Sequence, residues 1–257
     1  MSDKTPGRDF LKDSLRKQID FSQTDQNKGL PAPPLQKPFD PNLYRIALST
    51  DKEWKECIKD LGLDKIIASR KSRRKYSDEP LQFQELSFLL WATQGIRKKN
   101  SESASLRHVP SAGARHSFET YIFARNVQGL DPALYRFLPL ENELVLLKTV
   151  PSMSKDLARA AFGQKFVGLG AAIFVWSCIP YRMEWRYGPA AYRVILMDAG
   201  HVCQNLYLAC EAIGAATCAV AAYDQEAMDE LTGLDGQDEF VVYTAPVGKA
   251  LTIPDLI

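Results

Sequence analysis

The run AAYRVILMDAGHVCQNLYLACEAIGA, residues 190–215, decides how the rest of the chain is read. Ala199, Val202, Leu206, Ala209 and Ile213 recur at steps of three and four, which sets them along one side of a long helix, and Gly214 stands where helices commonly stop. Upstream, AAIFVWSC (171–178) is a continuous apolar run of buried-strand type, and EFVVYTAPVG (239–248) is a second strand near the end. FETYIFARNV (118–127), ALYRFLPL (133–140) and ELVLLKTV (143–150) read as strands, the last two joined by the turn-like LEN. KDLARAAFGQKFVG (155–168) reads as one helix and RKKNSESASLRHVPSAGARHS (97–117) as a polar loop. LQFQELSFLLWATQGI (81–96) reads as a helix with Leu86, Leu89, Leu90 and Ala92 on one side, ending at Gly95. Strands broken by helices without a strict β-α-β repeat point to an α+β fold rather than a doubly wound parallel sheet.

The chain has 257 residues, enough to bury a substantial core. Its formal net charge is +1, so the whole-molecule field gives no reason to expect nucleic acid or a membrane as partner. Cys57, Cys178, Cys203, Cys210 and Cys218 include no C-x-x-C pair and sit mostly in apolar runs, which argues for a reducing compartment and against structural zinc. No opening apolar stretch and no run of membrane-span length is present, so the expected location is cytoplasmic. QNKGLPAPPLQKPFDP (26–41) holds too many prolines for a helix or central strand, and RDFLKDSLRKQI (8–19) has the character of a short helix. The expected division is an extended, partly helical arm over 1–48, of the kind that can wrap a neighbouring subunit, and one domain over 49–257.

Within RKSRRK (70–75) five cations surround one hydroxyl. If the segment is extended, Arg70, Ser72 and Arg74 share a face and Lys71, Arg73 and Lys75 point the other way. Two guanidiniums flanking a hydroxyl suit a phosphate dianion, while a solvated cationic helix end after DKIIAS accounts for the same residues. PSAGA (110–114) is either a plain turn or a place where backbone comes close to a flat ligand. FVGLGAAIFV (166–175) offers Gly168 and Gly170, but its clear strand follows the glycines and Ile173 fills the third glycine position, which excludes a dinucleotide fingerprint. His108, His116 and His201 lack metal-ligand spacing, and His201 reads as a packed or capping residue.

Taken in order, Arg70-x-Ser72-x-Arg74, LLWATQG, PSAGARHSFETY, WRYGPAAYRVILMDAGHVCQNLYLACEAIGA and APVGK resemble the nitroreductase superfamily, in particular its SagB-type (McbC-like) dehydrogenase branch, over about residues 64–251. The resemblance implies an FMN flavoprotein with a central, mostly antiparallel sheet flanked by helices, assembled as a domain-exchanged homodimer with flavins at the subunit interface. It implies that Arg70, Ser72 and Arg74, with Lys71 in the same segment, hold the FMN phosphate, and that Lys249 joins them. Pro110, Ser111, Ala112 and Gly113 would reach the ring system from the opposite subunit, and Ala221 and Ala222 would offer backbone N–H to its reactive edge. The implied activity is electron transfer through the flavin, either from NAD(P)H to a quinone, nitro compound or other small organic molecule, or from an organic substrate to oxygen. Where azoline-oxidising members carry a Lys-Tyr pair, this chain has Arg186-Tyr187. Arginine stays protonated, so Tyr187 is left as the candidate base and Arg186 as an orienting cation. Two other functions stand beside this one: a peptide azoline dehydrogenase, and a non-catalytic flavin-binding interaction module.

Overall fold

The computed structural model describes residues 6–101 and 103–251. In chain order the strands are β1 (Arg45–Ala47), β2 (Ile96–Ser101), β3 (Ala104–Arg107), β4 (Phe118–Ala124), β5 (Ala133–Leu138), β6 (Glu143–Thr149), β7 (Ala172–Cys178), β8 (Ala215–Thr217) and β9 (Phe240–Lys249). The α-helices are α1 (Pro6–Phe10), α2 (Asp51–Trp54), α3 (Leu63–Ser69), α4 (Phe83–Gln94), α5 (Met153–Ala160), α6 (Lys165–Leu169), α7 (Tyr181–Tyr187), α8 (Ala191–Ile213) and α9 (Gln225–Thr232). The main sheet runs β1-β6-β5-β4-β7-β9-β8, with every neighbouring pair antiparallel. With helices packed on it, this is the α+β architecture, a mostly antiparallel sheet flanked by helices, that the resemblance implies.

At its centre β4 and β7 pair from Phe118↔Cys178 to Ala124↔Ala172, and every residue of both is buried. Both faces are covered, which is why these strands show no polar alternation in sequence. Phe118, Ile122, Phe174 and Trp176 point into a core shared with α4 and α8, while Tyr121, Phe123, Ile173 and Val175 meet Met153, Leu157, Val167 and Met228 on the other face. The five periodic residues of α8 are all buried, each large one contributing about 1.5–3 kcal/mol. Gly214 ends the helix in the left-handed region at φ 71°. Across the core, the Asn205 amide donates to the Ala92 carbonyl at 2.9 Å and ties α8 to α4.

The structure corrects several local expectations. The polar stretch after Gly95 is not a loop throughout: β2 and β3 form a separate antiparallel hairpin, built on residues such as Arg97, Lys98 and Lys99 that carry no hydrophobic alternation. The single helix expected over 155–168 is two, α5 and α6, broken where Phe162 and Gly163 take φ 52° and 80°. Gly168 and Gly170 serve packing: a Cβ on the first would enter the Ser154 carbonyl, and on the second would come within 2.9 Å of the Pro246 Cβ. His201 is neither packed nor capping but exposed on α8. The segment read as an arm does contain helix, and its last part, Arg45–Ala47, is a strand of the main sheet paired with β6. The arm lies along its own chain: the Lys37 N–H donates to Glu119 at 2.8 Å and Arg107 reaches the Leu35 carbonyl at 3.0 Å. Among the described residues no helix is long and apolar enough to cross a membrane, and no group of His, Cys, Asp and Glu is placed to hold a metal. All five cysteines are free thiols.

Candidate active site

After α3 stops at Ser69 the cationic segment runs extended beside β8, whose other edge is occupied by β9, and the Arg73 N–H donates to the Thr217 carbonyl at 2.9 Å. Two α8 side chains one turn apart organise it. Tyr207 exchanges a hydrogen bond with the Ser72 hydroxyl at 2.9 Å and lies under the Arg70 guanidinium, 5.3 Å from its ring centre. Glu211 takes the Arg73 guanidinium in an ion pair and accepts from the Lys71 N–H at 3.4 Å. Arg74 sits over the Phe166 ring at 5.6 Å. Arg70 and Arg74 therefore have aromatic faces but, among the described residues, no carboxylate, whereas Arg73 is neutralised. The Lys249 ammonium is held by the buried Glu85 carboxylate at 2.5 Å, so the structure gives it an ion-pair partner instead of leaving it with the two unpaired arginines.

Tyr207 also connects this segment to the turn after β8, since its hydroxyl accepts from the Ala219 N–H at 2.8 Å. Ala221 and Ala222 are exposed there, and their N–H groups have no partner among the described residues. Gln164 fixes the turn by donating to the Ala222 carbonyl at 2.9 Å. Sequence reasoning missed Tyr207 and Glu211; their signal was a polar pair at i, i+4 interrupting an otherwise apolar helix.

The Pro110–Gly113 loop belongs to a different neighbourhood. Gly113 is in the left-handed region at φ 57°, and a Cβ there would lie 2.7 Å from the Tyr187 hydroxyl and 2.8 Å from the Arg186 Nε. The loop is thus pressed against the Arg186-Tyr187 pair at the end of α7. Asp198 of α8 holds it from behind: its buried carboxylate accepts the Ala112 N–H at 3.1 and 3.3 Å. Burial raises the Asp198 pKa, opposed by hydrogen bonds from Ser111 and Ala112. Ser111 in turn accepts the His116 N–H at 2.9 Å. Burial drives the His116 imidazole down to about 3, with Arg107 nearby adding to the effect, so it is neutral at ordinary pH. Asp198 was not foreseen, because nothing in the helical pattern marks a buried carboxylate as a loop anchor.

Asp198 and Tyr207 are nine residues apart on one helix, an advance of about 13–14 Å and two and a half turns. They leave α8 on opposite sides. One chain consequently brings the cationic segment together with the 221–222 turn, and the glycine loop together with Arg186-Tyr187, but does not bring the two groups together. α8 also exposes Tyr192, Leu196 and Met197, at 49%, 51% and 46%, around Gly200.

Residues 67–249 match the nitroreductase family, and the chain belongs to it. It is 28% identical over 194 residues to a protein of Methanocaldococcus jannaschii named for the nitroreductases, covering 76% of this chain and 94% of that one. A solved chain of Anabaena variabilis assigned to the nitroreductases superposes with a TM-score of 0.65 at 24% identity, over 81% of this chain but only 42% of its own length. The Escherichia coli microcin synthetase McbBCD complex with truncated pro-MccB17 contains a chain that superposes with a TM-score of 0.59 at 19% identity, over 86% of this chain and 79% of that one. At these identities the two structural likenesses speak for the fold. Family membership makes the protein a nitroreductase-like oxidoreductase.

Proposed function

We propose that the chain is an FMN-dependent oxidoreductase acting as a homodimer, in which one subunit supplies the phosphate side of each flavin site and its partner the glycine loop. The observation that carries this reading is the division of the site residues onto opposite sides of α8. The donor set fits FMN: Arg70 and Arg74 stand on either side of Ser72 in the segment and, among the described residues, have no carboxylates of their own, as a phosphate dianion requires. Lys71 stands in the same segment, and Lys249 can contribute only by sharing its charge with Glu85. Ala221 and Ala222 present N–H groups suited to the polar edge of a flat ring. The apolar stripe of α8 around Gly200, where a Cβ would meet nothing within 4 Å, suits close approach of a second copy.

A bound flavin supplies the redox chemistry, so the protein need only position it and admit a donor and an acceptor. In this reading NAD(P)H reduces it and a quinone, nitro compound or other small organic molecule reoxidises it. Arg186, permanently charged, orients an anionic substrate, and Tyr187 is the group able to exchange a proton. Five free thiols support a cytoplasmic setting. The likeness to a microcin synthetase chain favours a second reading, oxidation of an azoline ring in a peptide; Arg186 in the place of a lysine base weighs against it.

The test is the visible spectrum of purified protein, heat release of its cofactor, and anaerobic addition of NADH or NADPH. FMN that bleaches with either nucleotide and recovers with a quinone fits the proposal. FAD, or no chromophore after reconstitution, removes it; bleaching by an azoline peptide alone favours the second reading, and a yellow protein reduced by nothing favours a binding module. A monomer holding stoichiometric FMN in sedimentation would contradict the shared site.

A further inference from the structure

Helix α7 has seven residues, too few to be stable by itself, yet it ends in the Arg186-Tyr187 pair pressed against Gly113. What holds it is the N-terminal arm, which lies outside the family match over 67–249. The Gln26 N–H donates at 2.8 Å to the Trp185 carbonyl, one of the terminal carbonyls that a helix leaves unpaired. The Trp185 indole N–H donates to the Leu30 carbonyl at 3.0 Å, and the Tyr181 hydroxyl donates to Asp25 at 2.9 Å. Further along, the Lys37 N–H and the Arg182 guanidinium of α7 share one oxygen of Glu119, at 2.8 and 2.5 Å. Lys37 also sends its ammonium to the buried Glu239, which accepts from Tyr121 and Ser177 as well. The strap is therefore anchored in the body of the sheet at one end and grips both ends of α7 at the other. From below, the Arg115 guanidinium stacks on the Trp185 ring at 4.7 Å and its Nε donates to the Arg182 carbonyl at 3.1 Å.

We propose that arm residues 24–37 are a strap that positions the Arg186-Tyr187 pair, with Trp185 and Tyr181 as positioning residues, and that this strap acts on the ring end of the site without contributing to phosphate binding. The inference rests on the reading that this pair faces the flavin. None of the strap contacts touches the segment 70–75 or Tyr207, which lie on the other side of α8. Loosening the strap should let Tyr187 leave its place while the phosphate socket stays intact.

The experiment uses full-length protein loaded with FMN, comparing wild type, Tyr187→Phe, the pair Tyr181→Phe with Trp185→Phe, and the triple variant. Bound-flavin fluorescence is the first readout, because a phenol next to the ring quenches it and a benzene ring does not. Amide exchange at 183–187 is the second. The expected result is a several-fold rise in emission for Tyr187→Phe, a smaller rise for the strap pair, and no added rise in the triple variant, with exchange at 183–187 about five- to twenty-five-fold faster, as one or two lost hydrogen bonds imply. Exchange at Arg73 and bound FMN content should not change. Unchanged emission in the strap pair, a fully additive triple variant, or loss of FMN overturns the strap. If Tyr187→Phe itself leaves emission unchanged, the pair does not face the flavin, and that reading falls together with the strap. Tyr181→Phe alone removes only an exposed hydroxyl and gives the same comparison, at smaller amplitude, should Trp185→Phe fail to fold.

Discussion

The two sides of α8 carry the two halves of the candidate site, and they are built in opposite ways. On the Tyr207 side the groups are exposed or half-exposed cations on an extended strip, fixed by a few hydrogen bonds to a sheet edge. The Asp198 side holds a buried carboxylate, a buried neutral histidine, and backbone at φ 57°, 53° and 48° in Gly113, Ala114 and His116. Charge displayed on an extended strip changes ligand affinity when altered and costs the fold little. Strained backbone clamped by buried polar groups does the reverse, so stability should be concentrated on the Asp198 side and affinity on the Tyr207 side.

The largest effect expected from this contrast is acid lability of the loop half. Folded His116 takes a proton only near pH 3, whereas the unfolded imidazole does so near 6.5. Between those values the unfolded chain binds more protons, so stability falls as pH falls, by up to roughly 1.4 kcal/mol per pH unit. Unfolding measured from pH 7 to 4 should show this slope, and His116→Gln should flatten it. An unaltered slope in that variant would show that the histidine is not what makes this half acid-sensitive.

Next in size is Gly113→Val. It sets a β-branched residue in the left-handed region and its Cβ against Tyr187, which should cost about 3 kcal/mol in denaturant unfolding of flavin-free protein. Arg70→Ala and Arg74→Ala should each leave that stability within about 0.5 kcal/mol but weaken FMN binding by about 1.5–3 kcal/mol. Arg73→Ala should behave oppositely to its neighbours, losing about 1–3 kcal/mol of stability because Glu211 loses its partner, and Lys71→Ala should do little to either quantity. Calorimetric titration with FMN beside urea melts measures both columns of this comparison; equal affinity losses at all four positions would turn the socket into a diffuse basic patch.

The same contrast explains what could be read from residues alone. The cationic strip was legible in residue type, and its alternation applies because the segment after α3 is extended, the condition on which Arg70, Ser72 and Arg74 share a side. The central strands and α8 were legible for a related reason, since β7 is apolar throughout and α8 has an unbroken three-four repeat. The loop half depended on distances between parts of the chain far apart in sequence. PSAGA shows small residues but not that Asp198, 86 positions from Ala112, holds the loop's amide. The β2-β3 hairpin was illegible because IRKKNS has no apolar face, and the α5-α6 break because Phe162 adopts a backbone conformation that bulky residues rarely take. Lys249 was joined to the phosphate set by the resemblance, and only the structure shows its charge paired with Glu85.

The smallest expected effect sets the two buried titrating groups of the loop half against each other. Burial raises the Asp198 pKa above 3.8, so the folded chain keeps that proton to higher pH than the unfolded chain does. Between 3.8 and the higher folded value the folded state binds more protons, and stability contributed by Asp198 is therefore present in acid and lost as pH rises through that window. His116 contributes with the opposite sign over an overlapping range. In the wild type the two partly offset, and in Asp198→Asn, which keeps an oxygen to accept the Ala112 N–H, the offset disappears. Acid loss of stability should then be steeper just above pH 3.8 than in the wild type, and amide exchange at Ala112 should follow it. Exchange at Arg73 and Ala219, on the other side of α8, should not respond beyond the change in global stability. A shallower acid slope in Asp198→Asn would mean that the carboxylate is ionised and satisfied by its two donors, and that the loop is held by charge instead of by a shared proton.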